Sequence, residues 1–144
     1  MIITFCGHSD YSGNEEDERK ILDLLERKIG NEAAEIFLGG YGGFDEFAYR
    51  CCKKYKKDHS SVSLVFVTPY IKGLTLEKNK KKYDLIIYPE LEKIPPRFAI
   101  SHRNRYMVER ADIVVAMIEH CYGGAYNTYK YAERKGKEIF LLRN

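Results

Sequence analysis

The chain has no tryptophan, only four prolines, and no apolar run long enough to cross a membrane. Its four cysteines, Cys6, Cys51, Cys52 and Cys121, form no C-x-x-C pair and no spacing typical of zinc ligands. The first residues are β-prone and lack the basic start and long apolar core of a secretion signal. These absences predict a reduced, cytoplasmic protein with no disulfide framework, metal site, cofactor or membrane segment.

Length and charge are those of an ordinary globular protein. The 144 residues fit one domain spanning 1–144, with 44% hydrophobic and 31% charged residues. The net charge is only +3, and the lysines concentrate in Lys53–Lys57 and Lys78–Lys82. We interpret both runs as solvated surface, because a nucleic-acid-binding domain usually carries a larger basic excess on one face.

Short apolar runs alternate with helical patterns along the whole chain. The strands are expected near Ile2–Cys6, Ile36–Leu38, Val62–Val67, Leu85–Tyr88, Asp112–Ile118 and Glu138–Leu142. The helices are expected near Glu15–Ile29, Phe44–Lys57, Arg97–Arg110 and Gly124–Lys135. Fully apolar strands that alternate with helices predict an α/β fold: one Rossmann-like, doubly wound, mainly parallel sheet with helices on both faces.

Two glycine-rich turns each follow a strand and begin a helix. Ligands of such sheets bind outside the carboxyl ends of the strands, where backbone N–H groups and helix dipoles attract anions. Both turns and the segment after the first strand are therefore expected to bind a phosphorylated small molecule. The candidate residues at these strand ends are Gly7, His8, Ser9, Gly39, Gly40, Gly42, Gly43, Gly123, Gly124, Asn127 and Thr128. For Asn127 and Thr128, helix capping is the alternative role.

The helix after Pro96 carries polar residues in or beside its apolar stripe. That stripe comprises Ile100, Asn104, Met107, Val108 and Ala111, with Arg103 at its edge. A guanidinium beside a core needs an anionic partner. Arg103 is therefore expected either to form a structural ion pair, for instance with Asp45 or Glu46, or to bind a ligand phosphate or ribose together with Asn104.

Acidic and aromatic residues flank the glycine turns. Asp45 and Glu46 begin a helix, where carboxylates stabilise the helix dipole by ~0.3–1 kcal/mol. Either could instead contact ribose hydroxyls or act as an acid or base, and Glu46 is the candidate catalytic residue. Tyr41, Tyr122 and Tyr126 lie in or beside the expected pocket, where an aromatic ring can stack on a base.

Three further segments are informative: Arg103–Met107, Ala111–Met117 and Gly123–Gly124. Together they resemble the SLOG superfamily of Rossmann-like proteins, which includes the Lonely Guy (LOG) phosphoribohydrolases, the DprA proteins and the YpsA-like proteins. Gly39–Ala48 and Gly123–Ala132 are similar to the two glycine motifs of the YpsA-like branch. The resemblance implies that both turns surround a nucleotide or nucleotide-derived phosphate, and that Arg103 matches an active-site arginine of LOG enzymes. Because superfamily members often form dimers, it also implies a homodimer.

The second turn departs from the LOG motif P-G-G-x-G-T-x-x-E. Tyr122 stands for the proline, Tyr126 for the third glycine, and Lys130 (Tyr131 with one insertion) for the glutamate that serves hydrolysis. A lysine or tyrosine cannot supply a carboxylate to an oxocarbenium-like centre.

The primary hypothesis is therefore a module that binds or senses a nucleotide-derived ligand. The alternative is a nucleoside-phosphate N-glycosidase that uses Glu46, or else Glu90 or Glu119, as its carboxylate. Single-stranded DNA binding, as in DprA proteins, ranks third.

Overall fold

In the computed structural model, which describes residues 1–143, six parallel strands form a single sheet. The strands are β1 (Ile2–Gly7), β2 (Ala34–Leu38), β3 (Val62–Val67), β4 (Leu85–Ile87), β5 (Ile113–Met117) and β6 (Glu138–Leu141). Their order across the sheet is β4-β3-β2-β1-β5-β6. Strands β2 to β4 are added on one side of β1, and β5 and β6 on the other, so the strand order reverses between β1 and β5. The predicted Rossmann-like fold is confirmed.

Helices cover both faces of this sheet. Within residues 1–143 they are α1 (Glu15–Lys28), α2 (Gly43–Lys56), α3 (Leu74–Asn79), α4 (Ala99–Arg110) and α5 (Gly123–Arg134). The pair α1 and α2 packs on one face, while α4 and α5 pack on the other. None of these helices has the length and apolarity that spanning a membrane requires.

Two helices differ from the sequence expectation. The helix α3 was not predicted, because its six residues bury only Leu76 and Asn79 and therefore show no helical apolar period. The helix α4 begins at Ala99 rather than Arg97, since a 3-10 turn over Pro96–Phe98 precedes it.

The strands bury side chains on both faces of the sheet because successive side chains point to opposite faces, and the buried residues form three clusters. Ile3 and Phe5 of β1 join the largest cluster, beneath α1 and α2. Cys6 joins a smaller cluster beneath α4 and α5, where it packs with residues such as Val108 and Ala132. Both faces of β1 are thus covered, and its carboxyl end is held in a fixed position.

A buried carboxylate ties the start of α1 to the end of the chain. Asp17 is 0% exposed and accepts hydrogen bonds from Tyr11 Oη at 2.5 Å, Asn14 Nδ2 at 3.1 Å and Arg143 Nη2 at 2.9 Å. Burial acts to raise the pKa of Asp17, but the hydrogen bonds from Arg143 and Tyr11 outweigh it and hold that pKa below its ordinary value. Asp17 is therefore ionised at neutral pH, and its hydrogen bonds connect α1 to Tyr11 and Arg143.

Replacing Arg143 should destabilise the protein. Arg143→Ala removes the cationic partner of Asp17, and we expect it to lower the free energy of unfolding by about 1–3 kcal/mol at pH 7. The loss should shrink as the pH falls through the lowered pKa of Asp17, because the protonated carboxyl no longer needs a cation. Denaturant unfolding measures both effects. Arg19→Ala, at an exposed position of α1, is the control, and an equal loss there would contradict the assignment.

Candidate ligand-binding site

A cavity of about 420 Å³ lies at the carboxyl ends of β1 and β5, where the strand order reverses. This is the position at which open α/β sheets bind ligands. Eleven residues predicted from the sequence line it: Gly7, His8, Ser9, Tyr41, Asp45, Arg103, Asn104, Tyr122, Gly123, Gly124 and Thr128. The chain thus brings residues from four separate segments to one cavity.

The second glycine turn opens its helix N-terminus into the cavity. Tyr122 precedes α5 in an extended conformation, and no side chain caps the helix. The first turn of α5 has no acidic residue, and a Cβ added at Gly123 or Gly124 would meet nothing within 4 Å. The first N–H groups of α5 therefore face open space with the positive end of the helix dipole behind them.

The first glycine turn is used differently. Gly43 N–H donates to Ser9 O at 2.7 Å and Phe44 N–H to His8 O at 3.3 Å. Gly42 has a φ of 89°, and its added Cβ would lie 2.8 Å from Ser9 Cβ. These contacts hold the turn against the segment after β1, and the Gly43 N–H is therefore not free for the phosphate that the sequence predicts at this turn. Gly40 likewise packs against Phe66.

Arg103 lies in the buried stripe of α4 rather than at its edge. It is 3% exposed and forms the stripe with Ala99 and Met107, whereas Ile100 is 38% exposed. Its Nη1 donates to Gly39 O at 2.9 Å and Val67 O at 2.8 Å. The guanidinium therefore binds backbone carbonyls at the carboxyl ends of β2 and β3. Within residues 1–143 it forms no ion pair with Asp45 or Glu46, which was one of its two predicted roles, although its charge acts on the pKa of Asp45.

One guanidinium nitrogen of Arg103 remains for a ligand. Nε donates to Asn104 Oδ1 at 2.9 Å, and Nη1 serves the two carbonyls. Nη2 has no acceptor within residues 1–143, whereas every fully buried side-chain nitrogen or oxygen there has a partner. Nη2 is therefore not fully buried, and Arg103 lines both this cavity and an adjoining hollow that Gly39 and residues of α3 also line.

Asp45 places a carboxyl group in the same cavity. Its Oδ2 accepts the Tyr41 N–H at 3.0 Å, and both this oxygen and the Arg103 guanidinium lie against Gly39. Burial raises the pKa of Asp45 to about 6, although the Tyr41 N–H and the Arg103 charge act in the opposite direction. A carboxyl that titrates near neutral pH inside a cavity is typical of functional sites.

Aromatic rings form the outer wall of the cavity. His8 stacks on His120 with ring centroids 3.7 Å apart, and His120 stacks on Tyr122 at 4.0 Å. His8 Nε2 accepts the Glu119 N–H at 2.9 Å, and burial lowers the His8 pKa, so the ring is neutral. Tyr41 and Tyr122 are 65% and 69% exposed, which leaves their faces accessible beside the cavity.

Several candidates lie outside this cavity. Glu46 is exposed and pairs with Lys82 at 3.3 Å, while Asn127 lines an adjoining groove between α4 and α5. Glu90 follows β4 with a φ of 59°. Neither Glu90 nor Glu119 is among the residues that line the cavity.

Some lining residues were not predicted from the sequence. Asp10 and Met107 of the cavity are among them, and the position of Asp10, directly after Gly7–Ser9, was the available signal for the first. An adjoining apolar hollow of about 310 Å³ is lined by predicted residues such as Gly39 and Arg103, but its wall from α3 was not predicted, because α3 carries no helical apolar period.

Comparisons with known proteins fit this architecture. No family model matches the chain. It is 25% identical over 145 residues to the uncharacterized SPbeta prophage-derived protein YoqJ of Bacillus subtilis, a match that covers 85% of each chain. DNA processing protein A of Helicobacter pylori has a TM-score of 0.67 at 16% identity, over 100% of this chain and 66% of that one.

A molybdenum cofactor binding protein from Rippkaea orientalis is a second structural neighbour. Its TM-score is 0.61 at 16% identity, over 97% of this chain and 74% of that one. At such identities the likeness shows the fold. The chain is Rossmann-like.

The pKa of Asp45 should make stability depend on pH. Its folded-state pKa of about 6 lies above the ordinary aspartate value, so the folded state binds more protons between the two values. The free energy of unfolding should therefore fall as the pH rises from 4 towards 7, and Asp45→Asn should flatten that slope. Denaturant unfolding across this range measures it. Glu46→Gln is the neighbouring control, and an unchanged slope in Asp45→Asn would contradict the assignment.

Proposed function

We propose that the protein binds a nucleotide or a nucleotide-derived phosphorylated ligand in the cavity at the ends of β1 and β5. The observation that carries this proposal is the meeting of two anion-binding features in one space. The uncapped N-terminus of α5 opens into the cavity that Arg103 also lines, and Nη2 of that buried arginine has no acceptor within residues 1–143.

In this arrangement the phosphate binds at the first turn of α5. The N–H groups of Gly123, Gly124 and Ala125 supply donors, and the helix dipole adds a favourable field for an anion. Arg103 Nη2 contributes a charge-assisted hydrogen bond from the side of α4. The glycines of the first turn act indirectly, because they position the segment after β1.

The remainder of a nucleotide fits the other walls. Tyr41 and Tyr122 expose their ring faces, which suits stacking against a base. Above its pKa, Asp45 accepts hydrogen bonds and therefore suits sugar hydroxyls rather than a phosphate. The cavity of about 420 Å³ has the size of sites that bind small molecules.

The fold supports a wider assignment to the SLOG superfamily. The likeness to DNA processing protein A and to the molybdenum cofactor binding protein is a likeness of fold, and the two glycine motifs lie at its strand ends. The YpsA-like branch, a homodimer and a cytoplasmic location stay predictions.

Charge placed at the start of α5 should prevent ligand binding without unfolding the protein. Gly124→Asp introduces a carboxylate where the phosphate binds, so affinity should fall at least about tenfold, or ~1.4 kcal/mol. Stability should be equal or higher, since an acidic residue in the first turn favours the helix. Calorimetry against nucleoside mono-, di- and triphosphates measures affinity. Gly124→Ala is the matched control, and no binding across the panel would contradict the proposal.

A second candidate function, hydrolysis of an N-glycosidic bond, is favoured by Asp45. Its carboxyl lies in the cavity and titrates near neutral pH, whereas Glu46 lies outside and pairs with Lys82. As general base, Asp45 would take a proton from water as it attacks the anomeric carbon. The carbon–nitrogen bond breaks and the base leaves with a proton.

Chromatography of nucleoside monophosphates incubated with the protein tests this second function. If it holds, free base and sugar phosphate appear, and Asp45→Asn slows their release by about 100-fold or more, the usual contribution of a general base. Glu46→Gln should retain the wild-type rate. Equal rates for Asp45→Asn and wild type would remove Asp45 from the mechanism.

The lysine runs give little support to DNA binding. Lys54 pairs with Glu18 at 3.0 Å, Lys56 with Asp84 at 2.5 Å, and Lys80 with Glu77 at 2.9 Å. Part of the charge of these two runs is therefore compensated within the protein, which weakens their support for DNA binding.

A further inference from the structure

A groove of about 410 Å³ between α4 and α5 continues the cavity along the two helices. The cavity and the groove share Ile100, Asn104, Gly124 and Thr128 in their walls. A ligand group bound at the first turn of α5 therefore lies at the mouth of the groove.

The groove is lined by cations and by no carboxylate among the described residues. Arg97, Arg105, Lys130 and Arg134 contribute the charge, and Ser101 and Asn127 add neutral hydrogen-bonding groups. Lys130 pairs with Glu133 at 2.7 Å, whereas the three arginines form no ion pair within residues 1–143. This concentration of free guanidinium charge contrasts with the paired lysines elsewhere.

One tyrosine holds two of these guanidiniums in place. The Cζ atoms of Arg105 and Arg134 lie 5.3 and 5.6 Å from the ring centroid of Tyr131. The nearby carboxylate of Glu109 accepts the Tyr131 hydroxyl. Both guanidiniums keep their donors available, and the cation–π contacts favour positions beside the ring.

We infer that this groove binds the second and further phosphates of a multiply phosphorylated nucleotide whose first phosphate lies at the start of α5. The inference rests on the proposed function and specifies its ligand class. Guanidinium forks match phosphate oxygens in geometry and charge. A symmetric dimer across the groove is disfavoured, since it would bring the arginines of two copies together.

The experiment compares the affinities of AMP, ADP and ATP by calorimetry, in buffer without divalent cations. Wild type should bind ATP at least about tenfold more tightly than AMP, since each charge-assisted contact adds affinity. In the double variant Arg105→Gln/Arg134→Gln, AMP affinity should change by less than about threefold while the advantage of ATP disappears. Arg110→Gln is the matched control, because Arg110 is also on α4 and lies over Tyr106 at 4.8 Å, outside the groove.

The outcomes separate this inference from the proposed function. If AMP and ATP bind wild type equally, the groove inference is overturned and the proposed function stands. If none of the nucleotides binds, the proposed function fails and the inference fails with it. If a single-stranded oligothymidylate binds more tightly than ATP, and loses that affinity in the double variant, the groove serves a nucleic acid and the inference is overturned. Melting temperatures of all variants confirm that they remain folded.

Discussion

The buried guanidinium of Arg103 is the constraint on which the site depends. By donating to the carbonyls of Gly39 and Val67 it fastens α4 to the carboxyl ends of β2 and β3. Burying a charge is costly unless hydrogen bonds compensate it, and here two carbonyls and Asn104 do so. The same contacts fix Nη2 at the edge of open space. In the proposed complex, packing and binding would therefore make use of different nitrogens of one side chain.

The two glycine turns have similar sequences and unlike roles. The first has a structural role, because the N–H groups of Gly43 and Phe44 donate hydrogen bonds to the segment after β1. The second is open, since α5 has neither a side-chain cap nor an acidic first turn. The first turn places Tyr41 and Asp45 beside the cavity, while the second supplies free donors. The shape of the site comes from one turn and its attraction for anions from the other.

The sequence predicted the fold well because its signals are local. Apolar strand runs and helical periods each depend on neighbouring residues, and all six strands lie close to their expected positions. Which amides are free depends instead on contacts between distant segments, such as Gly43 with Ser9. Neither the raised pKa of Asp45 nor the outward position of Glu46 could be predicted from spacing alone. Both follow from the way α2 packs on the sheet.

The most direct test of the account is an amide NMR titration of the protein with a nucleotide that it binds. The account predicts that the largest shifts occur at Gly123, Gly124 and Ala125, accompanied by the side-chain resonances of Arg103. The amides of Gly43 and Phe44, already bonded within the protein, should shift far less. Largest shifts at those two amides, or at residues remote from the cavity, would contradict the central claim that the start of α5 and Arg103 bind one anion.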